Sequence, residues 1–168
     1  MKKRFFYAAL VFSFGLIFQT GCKTAQTAAE KKTKAAEIGQ KINDFEFTFK
    51  ATHAYPTGYR AIYLSPYYYY LKVSKDAVTA YLPYYGRAYT APMDPAQGGI
   101  KFTSTDFEYE VSKGKREGNW QVRIKTHDTD REIILFLDIW ENGSTRLDVT
   151  DPNRQPISFQ GDIEIKKG

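Results

Sequence analysis

The spacing of apolar residues changes twice along the chain. Residues 5–18 form a mostly apolar run broken only by Ser13 and Gly15. Residues 23–41 are polar, rich in Ala, Lys, Thr, Gln and Glu, with no aromatic residue and no proline. Within and just beyond that stretch Ala35, Ile38 and Ile42 recur at i, i+3 and i+7. This predicts helical structure over residues 33–42 with one narrow apolar face able to dock on a domain. The first half of the segment reads equally well as a solvated linker. From Asp44 onward the period becomes two. Phe45, Phe47, Phe49 and Ala51 alternate with polar neighbours, as do Phe107, Tyr109 and Val111. Trp120, Val122 and Ile124 repeat the pattern, then Ile133, Leu135, Leu137 and Ile139, then Leu147 and Val149. Ile157, Phe159, Ile163 and Ile165 close the series. Shorter candidate strands cover residues 61–64, 68–74, 78–82 and 100–103.

Clean alternation means one dry and one wet face, a property of antiparallel sheets. The turns agree. Asn142-Gly143 between two such runs signals a two-residue hairpin, since both positions tolerate positive φ. Residues 115–119, 127–131 and 151–154 read as polar turns, the last opened by Asp151-Pro152. The chain is therefore expected to be all-β over residues 43–168: a single antiparallel sandwich or a lipocalin-like barrel. Strand order does not follow from the pattern.

The N-terminus adds an address. Lys2, Lys3 and Arg4 precede the apolar run, and Gln19-Thr20-Gly21-Cys22 follows it. Positive residues, a short apolar core and small residues before a cut site make a secretory signal. Thr20-Gly21 directly before Cys22 resembles the bacterial lipoprotein signal, in which the cysteine becomes the acylated first residue. Gln19 stands where such signals usually carry Leu. Residues 1–21 are thus expected to be a lipoprotein signal peptide. Residues 22–42 would be a lipidated cysteine with a partly helical tether. The resemblance implies acyl chains of the palmitate type on Cys22, and a chain held in the cell envelope, at the outer membrane of a Gram-negative bacterium. A plain secretory signal with an incidental cysteine is the alternative. One acyl chain holds only reversibly, so stable anchoring needs the two or three that such a cysteine carries.

Charge and composition narrow the function. The whole chain is 24 − 19 = +5, but three positive residues lie in the signal, so the mature chain is 21 − 19 = +2. So small an excess gives no reason to expect nucleic acid as a partner. With 42% hydrophobic and 16% aromatic residues the chain is too apolar to be disordered. One cysteine rules out an internal disulfide and a cysteine zinc cluster, and two histidines rule out a three-histidine site. His53 and His127 lack a second ligand at metal spacing, and Asp128-Thr129-Asp130 lacks the Gly and Glu of a calcium loop. Gly98-Gly99 lacks a phosphate-loop context, and no serine sits in a nucleophile elbow. No metal, cofactor or catalytic residue is assigned.

The distinctive stretch is aromatic. Eleven of the thirteen tyrosines fall within residues 55–92. Tyr81-Leu82-Pro83-Tyr84-Tyr85-Gly86-Arg87-Ala88-Tyr89 is the densest part. Together with Gly98-Gly99-Ile100-Lys101-Phe102, Asn142-Gly143 and residues 153–161 (NRQPISFQG), it resembles the lipoproteins of Bacteroides-like bacteria that carry domain of unknown function 4251. The resemblance spans about residues 38–166 and implies an envelope lipoprotein domain without an assigned activity. By the residues alone, Pro83 ends a strand and Gly86 supplies a bend or positive φ. The rings either cover the sheet and pack at a barrel mouth, or present a surface. Tyr84, Tyr85, Arg87 and Tyr89 are the candidate surface, offering rings and one cation to a small ligand or an envelope protein. Arg154 reads as the anchor of its own turn. The expected function is a non-enzymatic envelope lipoprotein with an aromatic binding surface. A structural module pairing with another envelope protein is the alternative, and an envelope hydrolase a remote third.

Overall fold

The structure, a computed structural model, describes residues 27–65, 68–89 and 98–164. The signal peptide, Cys22 and the start of the tether lie outside the described residues, as do Tyr67 and Ile165.

The described residues open with helix α1, Ala28–Asn43. It starts earlier than the apolar stripe alone indicates because Thr27 and Glu30 form a capping box: each side chain bonds the other's backbone N–H, at 3.3 and 3.0 Å. The predicted narrow face docks, with Ile38 and Ile42 fully buried. The helix ends in a Schellman turn. Glu46 N–H donates to the Lys41 carbonyl at 2.9 Å and Phe45 N–H to the Ile42 carbonyl at 3.3 Å. That turn requires a left-handed residue, and Phe45 supplies it at φ 59°. Phe45 is therefore a helix stop, where alternation placed it first in a strand. Its ring packs on Tyr109, centroids 4.1 Å apart.

Among the described residues ten strands follow: β1 Phe47–Pro56, β2 Ile62–Tyr63, β3 Tyr70–Val73, β4 Val78–Leu82, β5 Ile100–Ser104, β6 Phe107–Lys113, β7 Asn119–Thr126, β8 Ile134–Trp140, β9 Ser144–Thr150 and β10 Ile157–Glu164. All pair antiparallel in the order β5-β4-β3-β1-β10-β9-β8-β7-β6, with β2 beside β1. The first strand pairs with the last, from Thr48 opposite Glu164 to Pro56 opposite Ile157. The two ends of the ladder, β5 and β6, are separated only by Thr105 and Asp106. Counting antiparallel steps, three from β1 to β5 and five from β1 to β6, both run the same way. They are two halves of one bent strand, the first half paired with β4 and the second with β7. The sheet is therefore a nearly closed barrel, which resolves the choice between sandwich and barrel.

Alternation built the interior. Phe49, Leu71, Ile124, Leu135, Leu137, Ile139, Leu147 and Phe159 are fully buried and Phe47 nearly so. Burying such side chains contributes roughly 1.5–3 kcal/mol each before entropy is counted. β6 departs from the pattern: Phe107 and Tyr109 are half-buried and Val111 exposed. The helix turn covers that strand instead, through Phe45 on Tyr109 and the Tyr109 hydroxyl donating to the Ile42 carbonyl at 2.8 Å. The hairpin at Asn142-Gly143 also differs. Its loop has three residues, and only Gly143 takes positive φ, at 90°. Gly143 N–H closes a turn onto the Trp140 carbonyl at 2.8 Å, giving a turn plus left-handed glycine instead of two left-handed residues.

Candidate functional site

At the barrel end opposite the helix, β4 stops where Pro83 removes a donor from the ladder. The chain then runs beside the turn that opens β10. Tyr89 N–H donates to the Asn153 carbonyl at 2.8 Å, and Gln155 N–H donates to the Arg87 carbonyl at 3.0 Å. Arg87 N–H donates to Gln155 Oε1 at 3.3 Å. Ala88 and Arg154 form an isolated antiparallel bridge. The aromatic loop is thus a short extra strand laid on the 151–156 turn.

A buried polar cluster fixes that arrangement. Asp151 and Arg154 are 5% and 7% exposed. Asp151 accepts from Arg131 Nε at 2.6 Å and from Asn153 N–H at 2.9 Å, with Arg154 Nε at 3.7 Å. Arg154 Nη1 donates to the Gly99 carbonyl at 2.8 Å, and its guanidinium lies 5.0 Å from the Tyr84 ring centroid. Such buried charges persist only when paired and hydrogen-bonded. Tyr84 completes the clasp. Its hydroxyl donates to the Arg87 carbonyl at 2.7 Å and the Gln155 carbonyl at 3.1 Å. Burial raises the Tyr84 phenol above its ordinary range. Gly86 bends here without a positive φ. It is a glycine because a Cβ would stand 2.5 Å from the Tyr84 hydroxyl oxygen.

The candidate surface residues divide. Tyr84 faces inward as the clasp. Tyr85 is 38% exposed, and burial together with the neighbouring Tyr69 hydroxyl raises its phenol pKa. Arg87 and Tyr89 have their backbones pinned, while the Arg87 side chain is exposed and Tyr89 is 67% exposed. Arg154 is the expected anchor, although it reaches the Gly99 carbonyl as well as its own turn. Asp151 and Arg131 were not singled out by the sequence. Their only local signal is the Asp151-Pro152 turn.

Asp128 and His127, set aside earlier, have partners. Asp128 accepts from the Ser104 hydroxyl, from Thr105 N–H at 2.7 Å and hydroxyl at 3.0 Å, and from Asp106 N–H at 3.1 Å. These bonds, the Ser104 hydroxyl foremost, hold its carboxyl well below the usual carboxylate range. It fastens the bend between β5 and β6. Glu108 lies 3.2 Å from His127 Nε2, and Glu110 lies 3.4 Å from Arg123. Among the described residues no group of three or more His, Cys, Asp or Glu stands together as a metal site.

Fold and clasp together define a class: a single antiparallel barrel, plugged at one end by helix α1 and tied at the other by an aromatic loop. The chain belongs to the family described as domain of unknown function DUF4251, whose model matches residues 29–163. It is similar in fold to the crystal structure of a DUF4251 family protein from Bacteroides eggerthii, with a TM-score of 0.57 over 78% of this chain and 87% of that one. At 12% identity that likeness speaks for fold alone. No curated protein matches the chain.

Proposed function

We propose that this chain is a non-enzymatic lipoprotein of the cell envelope, acylated on Cys22 and held at the outer membrane, whose barrel presents the loop of Tyr85, Arg87 and Tyr89 to a protein partner. One observation carries the binding half of the reading. Tyr89, at 67% exposed, and Arg87 project from a loop whose backbone is tied on one side to the 151–156 turn and beneath by Tyr84. Exposed tyrosine and arginine on a rigid support lose little entropy on binding, which is why they dominate interface energetics. A filled interior supports the same reading, because Phe49, Leu137 and Phe159 occupy the space where a barrel would otherwise hold a ligand. The anchor rests on the charged, apolar and Thr20-Gly21-Cys22 pattern of residues 1–22.

Two measurements test it on the full chain in its native membrane. Intact mass should show a mature protein beginning at acylated Cys22, and Cys22→Ser should release it from the membrane fraction. An unmodified Cys22 in a soluble chain contradicts the anchor. A photo-crosslinking residue at position 89 should give one discrete adduct that Arg87→Ala abolishes. A smear equal to that from exposed Lys113 contradicts the partner surface.

A further inference from the structure

A second surface feature lies on the outer face of β8, β9, β10 and β1. It is a groove of about 340 Å³ walled by Tyr55 and Trp140, with Ser144, Arg146, Ser158 and Gln160 along its polar floor. That volume falls at the lower end of the range of small-molecule sites, about 300–1,000 Å³. Its polar groups are already oriented. Arg146 Nε donates to both Asp148 carboxylate oxygens, at 3.0 and 3.3 Å, and Nη2 donates to the Ser158 hydroxyl at 3.2 Å. Those bonds fix the plane of the guanidinium, and none of them uses Nη1. The Tyr55 hydroxyl donates to Gln160 Oε1 at 2.9 Å, which holds the Tyr55 ring and leaves the Gln160 amide nitrogen as a donor. Trp140 carries the Arg116 guanidinium 5.8 Å from its ring centroid. The indole is thereby braced from one side.

We propose that this groove binds a neutral oligosaccharide, its sugar rings lying against Tyr55 and Trp140 and its hydroxyls taken by Arg146, Gln160 and the two serines. The chemistry selects the class. A pyranose ring has apolar C–H faces that suit flat aromatic walls, and an equatorial rim of hydroxyls that suits fixed amide and guanidinium donors. Charge selects against anions. The Arg146 cation is matched by Asp148, while Asp138 opposite Arg146 and Asp162 opposite Ser144 add negative charge to the same face. The inference rests on reading the domain as a non-enzymatic binding module, and it uses a face distinct from the Arg87 and Tyr89 loop.

The test is a titration of the full mature chain, followed by the NMR signals of the Trp140 indole N–H and the Gln160 side-chain amide. The probes are neutral hexasaccharides of β-1,4-glucose, α-1,4-glucose, β-1,4-mannose and β-1,4-N-acetylglucosamine, with a uronic-acid hexasaccharide as the anionic control. At least one neutral probe should shift both signals at concentrations below about 10 mM, and Trp140→Ala should weaken it at least about tenfold. Gln160→Ala should weaken it as well, and covers the case in which Trp140→Ala does not fold. The proposal is overturned if no neutral probe moves these signals, if only the anionic probe does, or if binding survives both changes. Membrane retention through Cys22 and cross-linking at position 89 do not depend on this groove, so its failure leaves the lipoprotein reading standing.

Discussion

Phe45 shows how a single residue settles where the helix ends and the barrel begins. A bulky residue at φ 59° is strained, since a left-handed conformation costs roughly 1–2 kcal/mol away from glycine. The strain is offset by the ring on Tyr109. Phe45→Ala keeps the strain and loses the ring, so it should cost about 2 kcal/mol in urea unfolding. Phe45→Gly loses the ring and relieves the backbone, so it should recover about 1 kcal/mol of that. Equal losses for the two variants would show that the backbone at this position carries no strain. The residue was legible in sequence as apolar and inward. Its turn geometry was not, because the Schellman bonds run between main-chain groups of Lys41, Ile42, Phe45 and Glu46, and a bulky aromatic residue does not signal the positive φ that they require.

Among the elements, the bend between β5 and β6 brings the ends of the ladder together. The alternation of residues 100–103 and 107–111 marked two strands, and nothing in that pattern said they were one. What joins them is Asp128, more than twenty residues away, reaching back to Ser104, Thr105 and Asp106. The sequence offered Asp128 only as a fragment of a calcium loop, since the donors that use it are assembled by the fold. The consequence is a pH dependence of defined sign. In the unfolded chain an aspartate protonates near pH 4, whereas the hydrogen bonds in the folded state hold Asp128 ionised to lower pH. The unfolded state then binds more protons in that interval. The contribution of Asp128 is complete above pH 4 and falls as pH drops below it. Urea midpoints measured from pH 6 to pH 2 should therefore decline more gently for Asp128→Asn than for the unaltered protein. Parallel curves would remove Asp128 from the fastening of the bend.

At the scale of the whole molecule, a filled barrel leaves its outer surface and loops as the place for recognition. Period-two spacing made most of the strands and the core readable in advance, and the i, i+3, i+7 spacing of Ala35, Ile38 and Ile42 did the same for the docking face of α1. The clasp was not readable. Tyr84, Tyr85 and Tyr89 look alike in a tyrosine-rich stretch, and the charges that distinguish Tyr84 come from Asp151 and Arg154, brought beside it only when the barrel forms. The account therefore depends on a division within one loop, Tyr84 holding it from beneath while Arg87 and Tyr89 face outward. Thermal unfolding reads that division most directly. Removing the Tyr84 hydroxyl takes its shared donor from the Gln155 and Arg87 carbonyls, of which Arg87 keeps the Gln155 N–H, at about 1–2 kcal/mol. Tyr84→Phe should therefore lower the melting temperature by roughly 3–8 °C, while Arg87→Ala with Tyr89→Ala shifts it by no more than about 1 °C. An unchanged melting temperature in Tyr84→Phe, or a collapse in the double variant, would contradict the assignment of inner clasp and outer surface.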